Sequence, residues 1–203
     1  MNLEEKSQEV RKVFEELDLE IKSFLDASKL PCISGCGFCC SNPQVSASVL
    51  EFLPLAFDLY AKGKAEKALD ILEKTPEEGS CIVYKSLSED GHSGFCSDYN
   101  NRGMICRLFG SSARKNKNGQ KEIITCKKIK TEKNEFYTNA VEAIQSNMPV
   151  PSSTDAYRKI NNIDFRLTER QLPINKAIKE AIESVITFKF YTENQEPESV
   201  DNF

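Results

Sequence analysis

The sequence predicts a mainly α-helical chain with a small β hairpin, an α+β fold in which helices pack around a cysteine-rich core. Three observations predict it. Apolar residues recur at helical spacing in long stretches near both ends. Short β-like runs bounded by turn residues occupy the middle. Four of the eight cysteines, Cys32, Cys36, Cys39 and Cys40, crowd into nine residues. The other four follow as Cys81, Cys96, Cys106 and Cys126.

Taken in order, residues 3–28 read as one amphipathic helix, with Leu3, Val10, Phe14, Leu17, Ile21 and Leu25 on one face. Pro31 ends it, because the residue before a proline is driven out of helical geometry. Ser48 and Glu51 have the spacing of a capping box before a helix that carries Leu50, Leu53, Phe57, Leu59 and Tyr60. Lys62-Gly63 closes that helix, and a second short one spans Lys64 to Leu72. Cys81-Ile82-Val83-Tyr84 and Phe95 to Tyr99 read as the two strands of a hairpin around a polar loop with His92. Met104 to Phe109 reads as a short helix or turn. Lys117-Asn118-Gly119-Gln120 is a hairpin turn, with Lys121 to Thr125 returning from it. Residues 131–147 form a helix, 147–152 break the chain, and Arg170 to Lys189 form the last helix, with Pro173 near its start. No element is read between Ser152 and Arg170. Residues 1–190 read as a single domain with its motif core at 31–127, and 191–203 as a disordered acidic tail.

Length and composition exclude several classes. The 203 residues suit one domain, and 12 phenylalanines supply bulk for a core although only 39% of residues are apolar. No apolar run approaches transmembrane length, so no membrane partner is expected. A formal net charge of −4 gives no general attraction to nucleic acid. The basic stretch from Arg114 to Lys133 lacks interleaved aromatics and reads as a solvated hairpin tip. There is no glycine-rich phosphate loop, and His92 is the only histidine, which leaves no hydrolytic triad but one built on it. His92 itself reads as an exposed loop residue, and Tyr84 and Tyr99 as packed aromatics.

The cysteine spacing carries the chemistry. The chain opens on a charged helical stretch without a signal-peptide core, so a cytoplasmic, thiol-reducing setting is expected. A disulfide framework is then disfavoured, and four cysteines in nine residues are too dense for ordinary core packing. A metal-ligand knuckle remains. Gly35 and Gly37 permit the tight turns that let several sulfurs converge. Side chains of adjacent residues diverge, so Cys39 and Cys40 serve two sites, or one site and a bridge. Arg102 and Arg107, beside Cys106, are candidates to offset thiolate charge from a second layer around the metal, with an ordinary ion pair to a carboxylate as the alternative for each. Ile33, Phe38, Phe95, Ile105 and Phe109 are candidates to shield it from water.

These residues resemble the CxxCxxCC, or YkgJ-like, cysteine-cluster family, whose members are described as zinc- or iron-chelating domains. Cys32, Cys36, Cys39 and Cys40 match its dense knuckle with one extra residue in the first gap. Ser48 to Glu51 match the helix that follows, and Cys81 the next cysteine. Cys96, Tyr99, Arg102, Cys106, Arg107 and Phe109 match its second cysteine segment, and Cys126 its last cysteine. Gly103 stands where the family usually has proline. The resemblance implies a metal-binding domain with all eight cysteines as ligands. It leaves open whether the chain is an enzyme, since one branch of the family is associated with flagellin lysine methylation.

The expected function is a cysteine-ligated metal-binding protein holding an iron–sulfur cluster, a [4Fe–4S] centre by preference, or zinc, in redox or protein-modification chemistry. Two alternatives stand beside it. One is a metal-dependent protein-modifying enzyme related to flagellin lysine N-methylase, for which S-adenosylmethionine dependence would be diagnostic. The other is a structural zinc domain that binds a protein partner.

Overall fold

The computed structural model describes residues 1–30, 32–76 and 79–194. Its longest helix is α1 (Leu3–Ser28). Asn2 starts it by accepting the Glu5 N–H, while the Glu5 carboxylate accepts the Asn2 N–H in return. Such a reciprocal cap stabilises a helix start by about 1 kcal/mol. Lys29, in the left-handed region at φ 53°, ends it. Val10, Phe14, Leu17 and Phe24 form the buried stripe that the 3.6-residue period requires.

Two hydrophobic clusters lie along this stripe. The larger joins Val10, Phe14 and Leu17 to Leu50, Leu53, Leu108, Ile178 and Ile182. It is built by α2 (Leu53–Ala61), α3 (Ala65–Lys74) and α9 (Ile174–Glu193), with α9 packed against both α2 and α3. The smaller gathers Phe24, Leu30, Ile123, Ile129, Ala140 and Ile144 at the far end of α1. Fully burying one Leu, Ile or Phe contributes about 1.5–3 kcal/mol, so these two clusters supply the main driving force.

The strands are short and antiparallel. β1 (Ser46–Ala47) pairs with β6 (Leu172–Pro173), β2 (Tyr84–Ser86) with β3 (Gly94–Cys96), and β4 (Ala113–Lys115) with β5 (Lys121–Ile123). Asn116 closes the last hairpin by accepting the N–H groups of Asn118 and Gln120, with Gly119 at φ 78°. The chain is therefore mainly α with small β elements, as the sequence predicts.

Several elements differ in extent. The first hairpin begins at Tyr84 rather than Cys81, because the Tyr84 N–H bonds back to the Cys81 carbonyl and holds residues 81–84 in a turn. The helix read over 131–147 is two helices, α5 (Lys127–Glu132) and α6 (Asn134–Gln145). Two helices occupy the stretch left without an element, α7 (Ser153–Ile163) and α8 (Phe165–Thr168). Ser152 caps α7 by accepting the Asp155 N–H, and Ala156 and Ile160 bury its inner face. Residues 172–173 join β6, so the last helix starts at Ile174. It continues to Glu193, past the expected start of the tail; residues 195–203 lie outside the described residues. No described helix is long and apolar enough to cross a membrane.

Candidate metal centre

The cysteine knuckle is a series of turns docked against the β2–β3 hairpin. The Gly37 N–H donates to the His92 carbonyl at 2.8 Å, and the Gly94 N–H donates to the Gly35 carbonyl at 2.9 Å. Cys36 and Ser93 form an isolated antiparallel bridge between them. Gly35 adopts φ 69°, which an L side chain rarely takes. Gly37 has a different reason to be glycine: a Cβ there would stand 1.7 Å from the Tyr84 hydroxyl. That hydroxyl donates to the Gly91 carbonyl at 2.7 Å and fills the space under the knuckle.

The later cysteines are delivered by neighbouring elements. The Cys81 N–H donates to the Cys40 carbonyl at 3.2 Å, which fixes the two chain segments side by side. Cys96 lies opposite Tyr84 in the hairpin register. Cys106 is carried by the one-turn helix α4 (Met104–Leu108). Cys126 is the N-cap of α5, its sulfur accepting the Ile129 N–H at 3.4 Å. All eight cysteines are free thiols; Cys81 is buried, Cys32 exposed and the rest half-buried.

Glu51 controls where α4 begins. Its side chain is fully buried, and one carboxylate oxygen accepts both the Ser48 N–H at 2.9 Å and the Ser48 hydroxyl at 2.8 Å. The other accepts the Met104 N–H at 2.8 Å, capping the helix that bears Cys106. The capping box read from the sequence thus forms in half, and the remaining valence of Glu51 spans to a distant segment. Burial pushes its carboxyl above the usual range, against the pull of these donors.

The thiols sense one another. Cys39 is drawn down to about 6, chiefly by hydrogen bonding from the Cys40 thiol, with the Arg102 guanidinium assisting. Cys40 is pushed up by the same contact. Burial pushes Cys81 up to about 11 and Cys106 up to about 12. Arg102 favours the thiolate at Cys39, Cys96 and Cys106. It stacks 3.4 Å over the Tyr99 ring and donates to the Tyr99 carbonyl at 3.0 Å.

Arg107 forms the ion pair with a carboxylate that stood as the alternative to a place beside the thiolates. Its guanidinium donates to Asp18 on α1 and to the carbonyls of Asn100 and Arg102, and it lies over the Phe14 ring. It ties the loop before α4 to α1. His92 is exposed as expected and rests against Phe38, ring centroids 5.1 Å apart. Tyr84 is packed, but Tyr99 is 61% exposed, because Arg102 covers only one face of it. Phe38 and Phe95 are about half exposed, so they form a rim where shielding residues are expected. Two cavities of about 310 and 250 Å³ open elsewhere, and neither is lined by a cysteine.

Among the described residues, no three His, Cys, Asp or Glu side chains stand close enough to share one ion. Closing a site therefore requires knuckle side chains to turn towards Cys81, Cys96, Cys106 or Cys126. The donor chemistry fits zinc or iron nonetheless, since eight free thiols form a soft, sulfur-rich set. One further atom points the same way: the Thr125 hydroxyl, next to Cys126, is buried without a hydrogen-bond partner. A sulfur that carries negative charge would give such a hydroxyl an acceptor.

Sequence reasoning missed the reach of Glu51 and the orphaned Thr125. The first had a signal, the Ser48–Glu51 spacing, but its second partner is 53 residues away. The second had none.

Comparison with known proteins places this arrangement. The family model CxxCxxCC, described as a "putative zinc- or iron-chelating domain", matches residues 31–141, more than half of the chain and every cysteine in it. No curated protein and no solved structure matches. The chain belongs to the CxxCxxCC family of zinc- or iron-chelating domains.

Proposed function

We propose that this protein binds zinc or iron through its cysteine thiolates, with an iron–sulfur cluster as the finer reading. The observation that carries it is a dense knuckle of four free cysteines docked on the hairpin that bears Cys96, with the Cys81 N–H bonded to the Cys40 carbonyl. Cys32, Cys36 and Cys39 are the central ligands of this reading, and Cys40, Cys81, Cys96, Cys106 and Cys126 complete the set. Four thiolates around Zn²⁺ or a [4Fe–4S]²⁺ cluster leave a net charge of about −2. Arg102 is the residue placed to offset it. An all-sulfur set with no histidine favours cluster ligation, and a reducing cytoplasmic setting keeps the thiols available. When bound, a cluster supplies one-electron chemistry, and zinc supplies a structural cross-link. The chain's own residues hold the thiols together and supply the cation beside them.

The test is elemental analysis with acid-labile sulfide on anaerobically purified protein, together with its visible spectrum. Iron with matching sulfide and a brown colour supports the cluster. Zinc without sulfide keeps the thiolate site and rejects the cluster. Neither metal, with eight freely titrating thiols, rejects the whole reading.

A further inference from the structure

We propose that the eight cysteines form two four-thiolate sites that meet at the Cys39–Cys40 bond. Cys32, Cys36, Cys39 and Cys126 make one, and Cys40, Cys81, Cys96 and Cys106 make the other. The inference rests on the thiolate-binding reading above and deepens it.

Packing separates Cys126 from three members of the other set. Cys81 belongs to the larger core, and Cys40 and Cys106 pack against it. Cys126 packs on the smaller cluster together with Leu30, two residues before Cys32. The two ends of the cysteine region therefore rest on different hydrophobic supports.

Backbone bonds connect the members of the second set. The Cys81 N–H is bound to the Cys40 carbonyl, and the Cys81 carbonyl accepts the Tyr84 N–H at 2.9 Å. Tyr84 in turn faces Cys96 across the hairpin. Cys106 enters on α4, whose start is fixed by Glu51. In the first set, Cys32, Cys36 and Cys39 share the knuckle, and Cys126 caps α5 on the cluster that holds Leu30.

Four sulfurs per site is the closed tetrahedral number for a structural ion. Adjacent residues direct their side chains apart, so a Cys-Cys pair divides naturally between two sites. Arg102 acts on members of both sets, Cys39 in the first and Cys96 and Cys106 in the second, and Lys127 and Lys128 follow Cys126 in the first. The orphaned Thr125 hydroxyl lies next to the Cys126 ligand of the first site.

The experiment titrates the full metal-stripped chain with Co²⁺ under anaerobic conditions. Thiol alkylation, read by mass spectrometry at each step, shows which cysteines are protected. The expected result is two equivalents bound and eight thiols protected in the two sets named. Cys126→Ser should keep one equivalent and protect Cys40, Cys81, Cys96 and Cys106, and Cys96→Ser should do the reverse. A single equivalent that protects thiols from both sets overturns the partition and leaves the thiolate reading standing. So does loss of both equivalents in a Cys126→Ser chain whose far-UV circular dichroism is unchanged. No Co²⁺ binding by the wild-type chain overturns both. The wild-type protection pattern requires no variant to fold.

Discussion

Glu51 and Met104 are joined by a 2.8 Å hydrogen bond between a buried carboxylate and a backbone N–H, across 53 residues of chain. No lysine or arginine neutralises the carboxylate among its hydrogen-bond partners, which are the Ser48 N–H and hydroxyl and backbone N–H groups of α4. This one side chain sets the distance between the helix after the knuckle and the helix that carries Cys106.

Glu51→Ala leaves these donors unpaired in the core and is expected to lower stability by about 3 kcal/mol, read as a shift in the urea midpoint. Glu51→Gln keeps the shape but presents an amide where Met104 needs an acceptor. It should fold and bind metal about 10–100-fold more weakly, as measured by competition with a chelator. Unchanged affinity in a folded Glu51→Gln chain would show that α4 is positioned by other contacts.

Gly37→Ala tests the docking of the knuckle. The new Cβ would collide with the Tyr84 hydroxyl, and Tyr84 is held in turn by Gly91 and by the hairpin. Overpacking of this kind costs about 1–3 kcal/mol. Adding Tyr84→Phe should recover part of that loss, because it removes the nearest of the colliding atoms and leaves only ring carbons to shift.

Gly103 precedes α4, and proline there is a test of how tightly that start is packed. Its φ of −64° already suits proline. The space beside it does not: a Cβ would lie 2.9 Å from the Phe52 ring and 3.3 Å from a Glu51 carboxylate oxygen. Gly103→Pro is therefore expected to destabilise this chain by about 1–3 kcal/mol rather than stiffen it, and thermal denaturation reads the sign.

Much of this was legible in the sequence, where the information was local. Helix α1 follows from Val10, Phe14 and Leu17 at helical spacing, and the β4–β5 turn from Asn118-Gly119. The β-branched run at Ile82 and Val83 misplaced the first strand, because the Cys81 carbonyl is used to close a turn. Helix α7 has a local signal too, Ser152 three residues before Asp155. For Arg107 the sequence left two roles open, an ion pair with a carboxylate and a place beside the thiolates. Its partner Asp18 is 89 residues away, and only tertiary packing decides between a carboxylate and a thiolate.

The Lys6–Asp164 pair, 2.6 Å apart, gives a pH dependence. The Lys6 ammonium, followed by the Arg166 and Leu167 N–H groups that Asp164 caps, holds this carboxyl below its ordinary range. A carboxylate with a depressed folded-state pKa stabilises the fold above its unfolded pKa, and that stability is lost as pH falls through the folded value. Asp164→Asn keeps the cap and loses the ion pair. It should cost about 0.2–1 kcal/mol at neutral pH, with the difference from wild type closing as pH falls below about 3.9, as followed by urea denaturation.

The central claim is that sulfur alone holds the metal. X-ray absorption at the metal edge of the loaded, full-length protein measures this directly. A first shell of sulfur only, at about 2.3 Å for zinc, is the predicted result. A shell dominated by nitrogen or oxygen at about 2.0–2.2 Å would contradict it.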